Sequence, residues 1–219
     1  MTKTLLELFS GTGSVGKVAK KMGYKVISVD NLPKFNPTIV ADIKNWNGYK
    51  SLGKIDFLWS SPPCNSFSMA GIHLKHRHPK TLKAQTPTAV EGNKLLYATI
   101  RIYKYLKSKN PKLRFVMENP KGLMRHMSVV KQFTNHTTSY CKYGFPYKKD
   151  TDFFSNYPLK IKPQHSKDSP CPQKTYQIGA KYGSCEEKAF KQAISRIKGT
   201  QQEVLYRIPP KLIKDILLS

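Results

Sequence analysis

Short apolar runs alternate with amphipathic stretches through the first 120 positions, the rhythm of buried strands separated by helices. The runs are TLLEL from Thr4, YKVISVD ending at Asp30, TIVAD ending at Asp42, IDFLWS at 55–60 and LRFVMENP at 113–120. They carry little polar alternation, as expected of parallel strands covered on both faces. Between them, Val15, Val18, Ala19 and Met22 follow the i, i+3, i+4, i+7 spacing of one helix face, and Gly23 is placed to cap its end. A second helical face joins Leu95, Thr99, Ile102, Tyr103 and Leu106, with Lys94, Arg101, Lys104 and Lys107 largely opposite. TDFFSN, residues 151–156, predicts an antiparallel strand that closes the sheet as part of a hairpin. Pro209 and Pro210 predict the start of a last helix, packing Leu212, Ile213, Ile216 and Leu217 onto the core. The expected fold is α/β, one Rossmann-like, mostly parallel sheet with helices on both faces.

In such a sheet ligands sit beyond the carboxyl ends of the strands, so the residues at the end of each run are the chemical candidates. The first run enters SGTGSVG, where Gly11, Gly13 and Gly16 let a nucleotide-like cofactor approach the backbone; a tight turn without a ligand has the same pattern. Asp30 ends the next strand, close to the roughly 20-residue interval at which an acid meets ribose hydroxyls. Asp42 ends the third, and either acid can instead cap a helix that starts after it. The fourth strand runs into SSPPCNSFS, where Pro62 and Pro63 stop the strand and hold Cys64 in a rigid approach. Most free cysteines are small buried hydrophobes. Here, however, Glu118 leaves the fifth strand in MENP in the same way, so a thiol and a carboxyl can converge as nucleophile and acid/base.

A chain of 219 residues holds one sizeable domain with a small appendage. Its 38 Lys and Arg outweigh 13 Asp and Glu, a net charge of +25 spread along the whole sequence, which attracts polyanions and nucleic acid first. Four irregularly spaced cysteines make no disulfide framework, no signal segment opens the chain, and no apolar run approaches the roughly 20 residues of a membrane span. An intracellular, non-secreted location with reduced thiols is expected, in cytoplasm, nucleoid or viral factory. Residues 69–93 read as a long basic loop, with His73, His76, His78, Lys75, Arg77 and Lys80 facing DNA rather than a metal. Cys141, His165, Cys171 and Cys185 are possible zinc ligands, but they lack the tight pairs of structural sites, and no metal is assigned.

The series SGTGSVG, two strand-end aspartates, SPPCNSFS, MENP and YGFPYKKDTDFFSN resembles, in order, the motifs of the cytosine C5 DNA methyltransferases, especially the compact phage and virus type. The resemblance covers about residues 4–156 and extends to the closing YRIPPKL. It implies a class I methyltransferase fold that binds S-adenosyl-L-methionine through Phe9, Ser10, Gly11, Thr12, Gly13, Asp30, Asn31, Asp42, Ile43 and Pro62. It also implies Cys64 as nucleophile, Glu118 beside the base, and double-stranded DNA as partner of a monomer, RNA remaining open. A catalytic core at 1–156, a small basic appendage at 157–205 as a reduced target-recognition region, and a C-terminal helix at 206–219 are the expected divisions.

Three positions depart from the family pattern. Its glutamine and two alternating arginines correspond here to Tyr147, Lys149 and Thr151. The resemblance implies that the second arginine holds the cytosine carbonyl, a contact Thr151 does not supply; Lys148 or Lys149, the latter taken as the catalytic candidate, can substitute as a point charge without a planar fork. Two other functions compete: an amino methyltransferase, which would need a proline-proline-aromatic motif where Cys64 stands, and a silent DNA-binding protein on the same scaffold.

Overall fold

The computed structural model describes residues 2–145, 149–165 and 201–219. Five strands follow the predicted runs: β1 (Thr4–Leu8), β2 (Lys25–Asp30), β3 (Ile39–Val40), β4 (Phe57–Ser60) and β5 (Arg114–Pro120). Two more, β6 (Thr134–Ser139) and β7 (Asp150–Ser155), complete a seven-stranded sheet of order β3-β2-β1-β4-β5-β7-β6. The first five pair in parallel; β7 runs antiparallel between β5 and β6. The strand expected from TDFFSN is therefore present, inserted one place in from the edge. The edge itself is β6, whose sequence TNHTTS shows no apolar run because its first half faces outward.

Alternation along the central strands divides the core into two layers. Leu6 and Leu8 of β1, Leu58 of β4, and Phe115 and Met117 of β5 face α2 (Pro87–Lys109), which buries Leu96, Ile102, Tyr103 and Leu106 against them. Leu5, Phe57, Trp59 and Val116 face the other way. There they meet Val15 and Ala19 of α1 (Ser14–Lys21) and the apolar stripe of the C-terminal helix. That helix, α4 (Pro210–Leu218), comes after a short α3 (Gln201–Tyr206) and buries Leu212, Ile213, Ile216 and Leu217 as the sequence predicts. Helices thus cover both faces, and each fully buried Leu or Phe contributes about 1.5–3 kcal/mol.

Polar pairs anchor the periphery. Arg125, after β5, grips the buried Asp152 of β7 in bidentate fashion, with Nε 2.9 Å from Oδ2, and also reaches Thr137 of β6. Residues 157–165 run along the core, where Leu159 is buried and the Lys162 amide donates to the Tyr143 hydroxyl at 2.7 Å. Among the described residues no helix is long and apolar enough to cross a membrane.

One expected boundary moves. The aperiodic stretch assigned to 69–93 ends at Thr86, whose Oγ1 accepts the Ala89 amide at 3.3 Å and caps α2, with Pro87 opening the helix. The polar residues Glu91 and Asn93 on the first turns masked the helical period.

Glu7 ties β1 to α1 from inside the core. It is 3 % exposed, and its Oε2 accepts the Gly16 amide at 3.0 Å. A Cβ on Gly16 would lie 2.7 Å from that oxygen, so a larger residue there would push the Glu7 carboxyl aside. Burial pushes the Glu7 carboxyl up to about 7, against the pull of the Gly16 and Val15 amides, with Asp30 adding to the rise. Below its ordinary value of 4.5 the carboxyl is protonated in folded and unfolded chains alike. As pH rises from there the folded chain keeps a proton that the unfolded chain gives up, so stability falls, and the fall is complete above about 7. Urea unfolding should show Glu7→Gln gaining on the wild type between about pH 5 and about pH 8, by on the order of 3 kcal/mol. A pH-independent gap would assign the dependence to other groups.

Candidate active site

Because β1 to β5 are parallel, their carboxyl ends share one edge, and the strand-end residues singled out by sequence lie along it. Phe9 to Gly13 form the turn from β1 into α1. Phe9 takes a left-handed backbone (φ 58°), an unusual strain for an aromatic residue, and Gly11 and Gly13 adopt φ 46° and 70°. The turn is closed by the Ser10 amide donating to the Val29 carbonyl at 3.2 Å and the Gly13 amide donating to the Ser10 carbonyl at 2.8 Å. The Thr12 carbonyl accepts Lys17 Nζ at 2.8 Å. A Cβ at Gly11 would meet nothing within 4 Å, so the turn opens onto free space, the cradle a nucleoside cofactor needs.

Asp30 is buried and already employed. Its Oδ2 accepts the Gly11 amide at 2.8 Å and its Oδ1 the Leu32 amide at 2.9 Å. The acid therefore builds the glycine turn as well as standing at its rim, and each oxygen retains a second lone pair for a ligand hydroxyl. Asn31 beside it is exposed. Asp42 is drawn into a local turn: its Oδ1 accepts the Lys44 amide at 3.0 Å, and Lys44 Nζ stands 3.2 Å from Oδ2. Ile43 is buried in the α2-side core, with its carbonyl accepting from Arg101 at 3.0 Å.

Beyond β4, Pro62 is buried and its carbonyl accepts Asn119 Nδ2 at 2.9 Å, so the loop carrying Cys64 is fastened directly to the end of β5. Asn119 Oδ1 is buried with no hydrogen-bond partner among the described residues. The Cys64 carbonyl accepts the Phe67 and Ser68 amides at 2.9 and 2.8 Å, a single helical turn that fixes the half-buried thiol. Burial pushes this thiol up; the Lys149 ammonium pulls it down, and the Glu118 carboxylate pushes it up. Glu118 and Lys149 therefore both act on the Cys64 thiol, in opposite senses. Lys149 Nζ also donates to the Leu205 carbonyl at 3.0 Å and lies 4.9 Å from the centre of the Tyr140 ring. Thr151 is wholly buried within β7, paired with Pro120 and Thr138, and presents no cation to the pocket. Tyr147 lies outside the described residues.

The basic loop needs correction at Arg77. Sequence placed it facing DNA, yet it is 5 % exposed and turned inward. Its Nε donates to the Ser66 carbonyl at 2.8 Å, Nη2 to Ser66 Oγ at 3.0 Å and to the Ala89 carbonyl at 3.3 Å, and Nη1 to Asn93 Oδ1 at 2.9 Å. The guanidinium also lies 4.0 Å over the Phe67 ring. Gly92 leaves room for this arrangement: a Cβ there would lie 2.6 Å from Ser66 Oγ. A planar five-donor fork is the one side chain that can satisfy so many scattered acceptors, so Arg77 pins the Cys64 loop to α2. His76 and His78 serve the same loop, His76 Nδ1 meeting Thr86 Oγ1 at 2.8 Å and His78 Nδ1 accepting the Thr81 amide at 3.1 Å. The only sequence signal for this role was the glycine at position 92, near the start of a helix, where a side chain would have filled the space.

Cys141 Sγ and His165 Nε2 come within 3.2 Å of each other, whereas Cys171 and Cys185 lie outside the described residues. Among the described residues no three His, Cys, Asp or Glu side chains gather as metal ligands. Replacing Arg77 by lysine keeps the charge and loses the fork; it should make the segment 69–86 sensitive to limited proteolysis and leave the β1–α1 turn undisturbed. An unchanged cleavage pattern would show that the loop does not depend on Arg77.

Residues 4–150 match the profile of the family described as C-5 cytosine-specific DNA methylase. A "Probable DNA (cytosine-5)-methyltransferase" of Frog virus 3 (isolate Goorha) is 28% identical over 222 residues, covering 97% of this chain and 98% of that protein. Among solved structures, the Entamoeba histolytica methyltransferase EhMeth and the S. pombe Dnmt2 methyltransferase each superpose with a TM-score of 0.50, at 16% and 15% identity, over 76% and 78% of this chain. The chain spans little more than half of each of these two, 57%, and the likeness is one of fold. With the match running from β1 to the start of β7 and taking in both the Cys64 loop and Glu118, the chain belongs to the C-5 cytosine-specific DNA methylase family.

Proposed function

We propose that this chain methylates C5 of cytosine in double-stranded DNA, after the base leaves the stack, through a transient bond between Cys64 Sγ and C6. The observation that carries the reading is a half-buried thiol on a loop fastened to the end of β5 where Glu118 stands, with Lys149 and Glu118 both acting on that thiol, next to an open glycine turn. An amino methyltransferase has no use for a thiol there, and a silent binder has no use for the three together.

S-adenosylmethionine, the methyl donor of the family, would be held by the turn from Phe9 to Gly13 and by Asp30, with Asn31, Asp42, Ile43 and Pro62 beside them, and supplies an electrophilic methyl group when bound. The cytosine ring is too electron-poor at C5 to accept it unaided. Cys64 as thiolate forms an Sγ–C6 bond, the C5–C6 π pair moves onto C5, and Glu118, sharing a proton with ring N3, offsets the charge that builds on the ring. After C5 carries the methyl group, loss of the C5 proton returns an electron pair to the ring and breaks the Sγ–C6 bond, restoring the thiolate. Lys149 favours the thiolate against the opposing pull of burial, which makes it the activating cation of the site.

The net charge of +25 supplies the non-specific attraction to the DNA backbone. The segment 157–205, outside the described residues from 166 to 200, is the place for a reduced target-recognition region, acting in a monomer.

Mixed-sequence DNA containing 5-fluorocytosine, incubated with S-adenosylmethionine, should leave the protein covalently attached, because fluorine cannot depart as a cation. Cys64→Ala should abolish both attachment and methyl transfer while still binding the cofactor. Methylation by Cys64→Ala would overturn the mechanism, and transfer to RNA alone would overturn the choice of polymer. Lys149→Met removes the charge that lowers the thiol, so the rising limb of the pH–rate profile should move to higher pH. A limb that stays in place would exclude Lys149 as the activator.

A further inference from the structure

The structure assigns a positioning role to Tyr140, a residue no motif in the sequence singles out: its hydroxyl orients the Glu118 carboxyl toward the flipped cytosine. The inference rests on the proposed reading of the site and deepens it.

Tyr140 is 0 % exposed, and its hydroxyl donates to Glu118 Oε1 at 3.2 Å inside the protein. It is the one side chain among the described residues that hydrogen-bonds this carboxyl. Glu118 sits near the end of β5 with 6 % exposure, paired across the ladder to Phe153, whose ring offers no donor. A carboxylate held by one oxygen presents the other in a single direction, and a base donor must find it there.

The phenol is itself fixed from several sides. Its backbone opens the turn Tyr140–Tyr143 that ends at Gly144 (φ 85°), and its amide donates to the Lys149 carbonyl at 3.1 Å. Phe145 packs edge-on at 5.7 Å between ring centres. Over its face stands Lys149 Nζ, whose positive charge draws on the ring and strengthens the hydroxyl as a donor. One cation therefore serves two groups: it lowers the Cys64 thiol, and it polarises the phenol that holds Glu118. Thr151, by contrast, is buried in β7 with its hydroxyl turned to the Lys149 carbonyl at 3.5 Å.

Tyr140→Phe removes the oxygen and keeps the ring, so the packing against Phe145 and Lys149 survives. With mixed-sequence DNA as substrate, kcat for methyl transfer should fall about 10- to 100-fold, while the affinity for S-adenosylmethionine and the KM for DNA hold. The same substitution in a Glu118→Gln background should cost little more, since a positioning residue has nothing left to position. Wild-type kcat in Tyr140→Phe, or an undiminished further loss in the Glu118→Gln background, would overturn the assignment. A wild-type protein that transfers no methyl group at all would instead overturn the reading of the site beneath it.

Discussion

The structure depends on a sheet whose central strands are buried on both faces. Leu5, Leu6 and Leu8 of β1, Phe57, Leu58 and Trp59 of β4 and Phe115, Val116 and Met117 of β5 are all essentially inaccessible. A shift of one residue in any of these strands would exchange the side chains facing α2 for those facing α1 and α4, two differently shaped surfaces, so register is strongly specified. With register fixed, the points at which β1, β2, β4 and β5 end are fixed relative to one another. The glycine turn, Asp30, the Cys64 loop and Glu118 inherit their relative positions from that constraint.

What the sheet delivers, a few polar tethers refine. Asn119 holds the Pro62 carbonyl, Asp30 holds the Gly11 and Leu32 amides, and Arg77 holds Ser66 and the start of α2. In each case a residue adjacent to the chemistry commits hydrogen bonds to backbone groups, which restricts the loops that a mobile site would leave loose. Inside a poorly solvated site such bonds are stronger, and losing one partner leaves the other buried and unpaired. The cost of burying Arg77 is offset because nearly every donor of its fork has an acceptor.

The electrostatics of the pocket are set by a balance rather than by one strong group. Burial and Glu118 disfavour the thiolate, and Lys149 favours it. A lysine in place of a planar fork gives a charge that is not committed to a bidentate geometry, and this ammonium is shared between a main-chain carbonyl, an aromatic face and the thiol's field. Through the Leu205 carbonyl the Lys149 ammonium is also tied to the segment leading into α4, far along the chain.

Most of the α/β order was legible in the sequence. The parallel strands announce themselves as apolar runs because both faces are covered, and Gly13, Pro62, Pro63 and Cys64 mark their ends through backbone constraints that are local. The C-terminal helix showed its stripe for the same reason. Other elements were hidden because what decides them is not local. The strand β6 is a polar edge whose strand character comes from pairing with β7, and the start of α2 was obscured by polar residues that tertiary packing buries or pairs. Arg77 and Tyr140 look, in sequence, like a surface charge and a core aromatic. Only the folding of the 69–86 loop onto α2 turns the first inward, and only the insertion of β7 beside β5 brings the turn carrying the second against Glu118. Sequence determined the five parallel strands and which residues stand at their ends, because those depend on neighbours along the chain; tertiary structure decided the polar edge strand β6 and which side chains hold Ser66 and Glu118, because the partners lie 11 and 22 residues away and meet only when the sheet has closed.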